Sequence, residues 1–257
     1  MKPTTATTPP LGRVPRLYHD TPINGAEIVL DDKQAHYLRQ VLRLKRGYSI
    51  IVFDGRGSEC LASIMRLTRD GAELRVESSV AAIPRSSLQL TLLQAIPKSE
   101  AMDLIVQKAT ELGVTAIAPV VTEFCVVRLD EDRARNRVEH WRRVARSACE
   151  QSGRHEPAAI EMPDTLARRL NRLATPSERF ALDARSTTAL RDAAAAIDSA
   201  LPVYILIGPE GGLSERDLAC ADQAGFTRVT LGRRILRSET AAIAASTLLQ
   251  ALSGDLG

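Results

Sequence analysis

The chain has 257 residues, 44% of them hydrophobic and 25% charged, which is ordinary for a globular protein and long enough for one large or two modest domains. No apolar run reaches the ~20 residues that span a bilayer, and the opening MKPTTATTPPLG lacks the apolar stretch of a secretory signal. Cys60, Cys125, Cys149 and Cys220 are scattered, as are the histidines, with no CxxC pair or metal-ligand spacing. The expectation is therefore free thiols, no metal site, no membrane partner and a cytoplasmic protein. The net charge of +3 is uneven: residues 1–87 hold 13 Lys/Arg against 9 Asp/Glu, and the remainder 21 against 22. The first third carries the positive excess, as an RNA-docking module should.

In chain order, residues 1–15 are rich in Thr and Pro and are expected to form a disordered tail. From Glu27 to Val80 the pattern is β-rich, with one helical stretch at Ala35–Leu44. Strands are predicted at Ser49–Phe53, Glu59–Leu67 and Ala72–Val80, separated by turns at Asp54-Gly55-Arg56-Gly57 and Arg69-Asp70-Gly71. Short strands without intervening helices suggest a small barrel over residues 16–84. Arg39, Arg43, Lys45 and Arg46 cluster around the helix and are the candidate phosphate contacts. Ala81–Ser87 breaks the pattern and reads as a linker.

From residue 88 to 257 strands and helices alternate, which implies a mostly parallel sheet and an α/β domain. Strands are expected at Leu88–Ile96, Val114–Val121, Glu178–Asp183, Val203–Ile207 and Thr227–Leu231. Helices are expected at Ser99–Leu112, Asp130–Glu150 and Thr187–Ser199, and from Ser238 onward. Two strand-loop-helix corners stand out. Val203–Ile207 stops at Gly208, Gly211 and Gly212, glycines that can take positive φ, before Ser214 and Asp217 start a helix in capping-box fashion. Thr227–Leu231 stops at Gly232 before Ser238–Glu239 opens the last helix. Two such corners suggest a cofactor pocket at the carboxyl ends of parallel strands. The loop is neither GxxxxGK[ST] nor GxGxxG, so a nucleotide-phosphate or dinucleotide site is not supported.

The motifs GPEGGLS and LGRRILRSETA resemble the RsmE family of SPOUT-class RNA methyltransferases. The resemblance extends to Lys98, Gln107–Gly113, Glu150–Arg154 with Pro157, and His36 with Val41–Gly47, covering most of the chain from about Arg16. It implies an N-terminal PUA-like β-barrel, a C-terminal SPOUT α/β domain with a trefoil knot, a homodimer, and methylation of N3 of a uridine in 16S rRNA of the small ribosomal subunit. It further implies that S-adenosylmethionine is held by Gly208, Glu210, Gly211, Gly212, Leu231, Gly232, Ile235, Leu236 and Arg237. Two departures stand out: Phe124 follows Glu123 where the family commonly has Arg, and because a phenyl ring cannot contact phosphate this puts any RNA contact at that position in doubt unless Arg128 compensates; Arg233 stands where the family often has a small residue or Pro.

Methylating uridine at N3 requires loss of the N3 proton, and negative charge then develops on O2 and O4. A cation or N–H donor aimed at those oxygens stabilises that state, and a nearby base takes the proton. Arg237, between the last strand and last helix, is the first candidate stabiliser, with Arg154 and Lys98 as secondary candidates. Glu210 and Glu239 are the carboxylates nearest the expected pocket; Glu239 also suits the first helical turn electrostatically. No residue announces itself as the base. A non-catalytic RNA-binding or ribosome-assembly factor retaining the fold is the alternative, against which the intact corners argue.

Overall fold

A computed structural model describes residues 14–98, 101–126 and 130–257. The tail expected at 1–15 lies almost wholly outside these residues, and so does Arg128. The described chain forms two units: one holds the residues up to Pro84 together with Cys149–Glu156, the other Arg85–Ala148 and Pro157–Gly257.

The first unit contains β1 (Arg16–Tyr18), β2 (Glu27–Leu30), α1 (Asp32–His36), β3 (Ser49–Phe53), β4 (Glu59–Leu67) and β5 (Ala72–Ser79). They form a curled sheet in the order β1-β3-β4-β5-β2, with β1 parallel to β3 and the remaining pairs antiparallel. Two register shifts in the β4–β5 ladder bend it. Period-2 alternation sends Ile28, Leu30, Ile50, Val52, Ala62, Ile64, Ala72 and Leu74 into one core, which α1 covers through Ala35 and the following turn through Leu38. The helix begins earlier than the apolar pattern predicts, because Asp31 and Gln34 close a capping box; it then continues as a π-type turn over Tyr37–Val41.

The segment Cys149–Glu156 joins this unit through specific bonds. The Tyr18 amide donates to Glu150 Oε1 (3.0 Å), and Tyr37 Oη donates to Glu150 Oε2 (3.5 Å). Arg16 pairs with the buried Glu59, lies 4.7 Å from the Phe53 ring centroid, and donates to the Arg154 carbonyl (3.3 Å). Burial drives the Cys149 thiol up to about 12, so it stays protonated.

The second unit comprises β6 (Leu90–Ala95), α2 (Ala101–Glu111), β7 (Ala116–Val121), α3 (Glu131–Ser152), β8 (Ala159–Ile160), β9 (Asp164–Thr165), α4 (Leu166–Leu170), β10 (Glu178–Leu182), α5 (Leu190–Ala194), β11 (Val203–Ile207), α6 (Glu215–Gln223), β12 (Thr227–Val229) and α7 (Ser238–Ser253). The last residues of α3, from Cys149, belong to the first unit. All strand pairs are parallel, in the order β12-β10-β11-β6-β7-β8, with β9 beside β7. Alternating strand residues feed two cores. Leu90, Leu92, Phe180, Ile205 and Ile207 face α2, α3, α5 and α7, whereas Leu93, Ala95, Ala181 and Leu206 face α4 and α6. Strands buried on both faces read as continuous apolar runs, which is why β6 and β11 are plain in the sequence.

Candidate functional site

The carboxyl ends of β10, β11 and β12 open onto one cleft of about 620 Å³, its open solvent mouth included. Its lining comes from Leu182–Ala184 after β10, Ile207–Glu210 and Gly212 after β11, Val229–Leu231 and Arg234–Leu236 around the end of β12, and Ser238 and Ala241 of α7. Strand ends supply apolar floor residues, and the loops supply main-chain donors and acceptors. Gly208 is required by close approach: a Cβ there would stand 2.6 Å from the Gly212 carbonyl carbon and 2.8 Å from the Leu213 nitrogen. Of the three loop glycines only Gly212 has positive φ, at 74°.

Buried hydrogen bonds tie the two loops together. Ser238 Oγ donates to the Gly208 carbonyl (2.8 Å) and accepts from Gln94 Nε2 (2.9 Å), which also donates to the Ala95 carbonyl (2.8 Å). The start of α7 is thereby pinned to β6 and to the end of β11. No side chain caps α7, whose N-cap residue is Arg237. Ser214 and Asp217 do form the capping box of α6. Asp183 accepts from the Arg185 side chain (3.2 Å), and this bond, with one to Glu215, holds the Arg185 guanidinium above its ordinary value.

Among the residues singled out from the sequence, Gly208, Glu210, Gly212, Leu231, Ile235 and Leu236 line the cleft. Gly211, Gly232 and Arg237 stand on the same loops, each next to a lining residue, and Glu239 is half-buried in the first turn of α7. Lys98 reaches the site through its main chain, its amide donating to Glu210 Oε1 (2.9 Å). Arg154 lies in the other unit with Arg39, Arg43, Lys45 and Arg46. Arg43, Lys45 and Arg46 are exposed there, and Arg39 donates to the Thr68 carbonyl (3.3 Å). Sequence reasoning missed the third corner, Leu182-Asp183-Ala184, which has no glycine to advertise it. The part Ser238 plays was also hidden, because it depends on β6 lying beside β11. Among the described residues, no cluster of His, Cys, Asp and Glu could hold a metal ion.

A parallel sheet with a cleft at its strand ends, in a chain that also carries a small β-unit, defines an α/β protein of the enzyme type with a separate β-domain. A family model described as an RNA methyltransferase domain matches residues 84–250, and one described as an RNA methyltransferase PUA domain matches residues 30–77. The crystal structure of a ribosomal RNA small subunit methyltransferase E from Neisseria gonorrhoeae, bound to S-adenosyl methionine, is 34% identical; the match covers 95% of this chain and 100% of that one, with a TM-score of 0.88. A putative methyltransferase from Legionella pneumophila in complex with the same cofactor is 33% identical, covering 95% and 100%, with a TM-score of 0.89. The ribosomal RNA small subunit methyltransferase E of Synechocystis is 33% identical over 88% of this chain and 74% of its own length. The chain belongs to the ribosomal RNA small subunit methyltransferase E family of RNA methyltransferases.

Proposed function

We propose that the protein transfers the methyl group of S-adenosylmethionine to N3 of a uridine in the 16S rRNA of the small ribosomal subunit. The observation that carries this reading is the cleft built by the Gly208–Gly212 and Leu231–Leu236 loops, in a chain 34% identical to a cofactor-bound methyltransferase across nearly its whole length. The residues present fit the cofactor. Ile207, Val229, Leu236 and Ala241 offer apolar walls for an adenine ring, and the loops offer main-chain groups that read its edge. When bound, the cofactor supplies an electrophilic methyl group.

The remaining work falls to the chain's own side chains. Arg237, exposed at the start of α7, is the cation assigned to the uracil oxygens that gain charge as N3 loses its proton. Glu210, which lines the cleft, and Glu239, in the first turn of α7, are the carboxylates nearest to receive that proton. Lys98, on the same unit, assists Arg237, and Arg154 steadies a substrate phosphate. Arg39, Arg43, Lys45 and Arg46 hold the RNA backbone and give affinity without base specificity.

The protein acts as a homodimer in the cytoplasm, where its substrate is assembled. Support for the dimer comes from α7, on which Ile243, Ala244 and Leu248 are only half-buried, and from Ile235, which is 89% exposed beside the cleft. The trefoil knot is carried over from the family resemblance; in this chain the path leaves β11, runs out to the edge strand β12, and returns to start α7 against the end of β11. Incubating the protein with 16S rRNA lacking the modification and with methyl-tritiated S-adenosylmethionine tests the reading. Label should enter the RNA; tight binding with no transfer would instead support the assembly-factor alternative.

A further inference from the structure

Four phenylalanines occur in the chain, and three of them, Phe53, Phe180 and Phe226, are no more than 5% exposed. Phe124 is 47% exposed. It sits in the turn that follows β7, at the carboxyl side of the sheet, and is packed on the cofactor-loop glycine Gly211. A Cβ on Gly211 would meet Phe124 Cβ at 3.3 Å, Cδ2 at 3.5 Å and Cγ at 3.6 Å. The two residues flanking Gly211, Glu210 and Gly212, both line the cleft.

The turn is held at several points. The Glu123 amide donates to Asp217 Oδ2 (3.2 Å), the same carboxylate that closes the α6 capping box. The Cys125 amide donates to the Thr122 carbonyl (3.1 Å), and its thiol donates to the Ile96 carbonyl (3.4 Å) at the end of β6. An apolar ring is thus fixed by its inner edge to the cofactor loop, while much of its surface meets solvent. These bonds orient the turn without covering the ring.

We infer that Phe124 is a stacking platform for an unpaired pyrimidine base of the RNA substrate, presented beside the cofactor cleft. The inference rests on the methyltransferase reading above and names how the same site receives its base. N3 of a uridine is engaged in Watson–Crick pairing inside a helix, so the base must be unpaired and splayed out to be methylated. Single-stranded bases are received by stacking on aromatic side chains, because every base offers a π-face and an aliphatic side chain does not. Proximity to Gly211 assigns the occupant: a base resting on Phe124 lies next to the loop that holds the methyl donor. The ring has no charge to offer a phosphate, so stacking and apolar contact are the interactions open to it.

The test compares full-length Phe124→Ala, Phe124→Leu and Phe124→Trp with wild type, using unmodified 16S rRNA and S-adenosylmethionine. Removing one stacked base should lower kcat/KM for the RNA by about 5- to 150-fold in the Ala variant. The loss should appear mainly in KM, while cofactor affinity by calorimetry and the oligomeric state by sedimentation stay as in wild type. The Leu variant keeps apolar bulk but cannot stack, so it should remain impaired, whereas the Phe124→Trp variant should retain activity. Trp141, the one native tryptophan, is buried, so emission from the indole introduced by Phe124→Trp should be distinguishable and should be quenched as rRNA binds. Wild-type activity in the Leu variant overturns the inference. A parallel fall in cofactor affinity assigns Phe124 to loop support, and a changed oligomeric state assigns it to a protein contact; either result also overturns it. Failure of the wild-type protein to methylate rRNA would remove the underlying function and the platform together, which separates that case from the others.

Discussion

Gly208→Ala is a perturbation whose outcome the structure sets narrowly. The added methyl carbon would stand 2.6 Å and 2.8 Å from backbone atoms of Gly212 and Leu213, so no rotamer change relieves the clash. The other side of the peptide is held as well, because the Gly208 carbonyl accepts from Ser238 Oγ at 2.8 Å. The loop must therefore open or lose that bond. Overpacking of this kind costs about 1–3 kcal/mol, and a buried hydrogen bond contributes about 1 kcal/mol. If the strain is relieved by opening Gly208–Gly212, the cleft wall moves and S-adenosylmethionine affinity should fall by roughly 5- to 150-fold. Calorimetric titration measures the affinity, and thermal denaturation reports the fold. Gly25→Ala is the control, since its nearest foreign atoms lie at 3.8 and 3.9 Å. A Gly208→Ala protein with wild-type affinity and wild-type Tm would refute both the packing argument and the placement of the cofactor.

The other expectations concern separate parts of the molecule. Arg43→Ala should weaken rRNA binding and flatten its salt dependence by about one unit of slope while leaving cofactor affinity unchanged; an unchanged slope in filter-binding titrations would remove Arg43 from the RNA surface. Arg237→Ala should keep that slope but lower the single-turnover methylation rate by roughly 10²–10³-fold, and a normal rate would rule out its role at the uracil oxygens. Arg16→Ala leaves Glu59, whose side chain is 3% exposed, without its counter-charge. Urea unfolding should show a loss of about 3–5 kcal/mol, largely recovered by pairing Arg16→Met with Glu59→Leu. Burial raises the Glu150 carboxyl above its ordinary value, against the opposing bonds from Tyr18 and Tyr37. The folded state then holds this proton more tightly than the unfolded chain. Its contribution to stability is present below the unfolded value and is lost as pH rises through the folded one. Glu150→Gln should consequently lose less stability than wild type as pH rises from the ordinary carboxylate range, as followed by urea midpoints; identical pH profiles would contradict this.

The parts of the site legible in the sequence are those written in local chemistry. Gly208–Gly212 and Gly232 mark chain reversals, and Ser214 with Asp217 marks a helix start, whatever lies around them. The helix expected at Thr187–Ser199 shrinks to Leu190–Ala194, because an alanine-rich stretch satisfies helical periodicity without requiring a helix of that length. Strands as short as Arg16–Tyr18, Ala159–Ile160 and Asp164–Thr165 are too brief to show any period, and their pairing partners decide them. Glu150–Arg154 is visible as a motif at the end of α3, but its bonds to Arg16, Tyr18 and Tyr37 span more than 110 positions of chain and leave no local trace. The same holds for Phe124 and Gly211, which meet only once β7 and β11 are placed in one sheet.

The central claim concerns which atom is methylated in which RNA. Mass spectrometry of nucleosides from 16S rRNA, purified from cells with and without the gene and from the deletion RNA treated with protein and S-adenosylmethionine, tests it most directly. The account predicts that a single N3-methyluridine is absent from the deletion RNA and returns on treatment. An unchanged nucleoside profile, or restoration of a methyl group at any other atom, would contradict it.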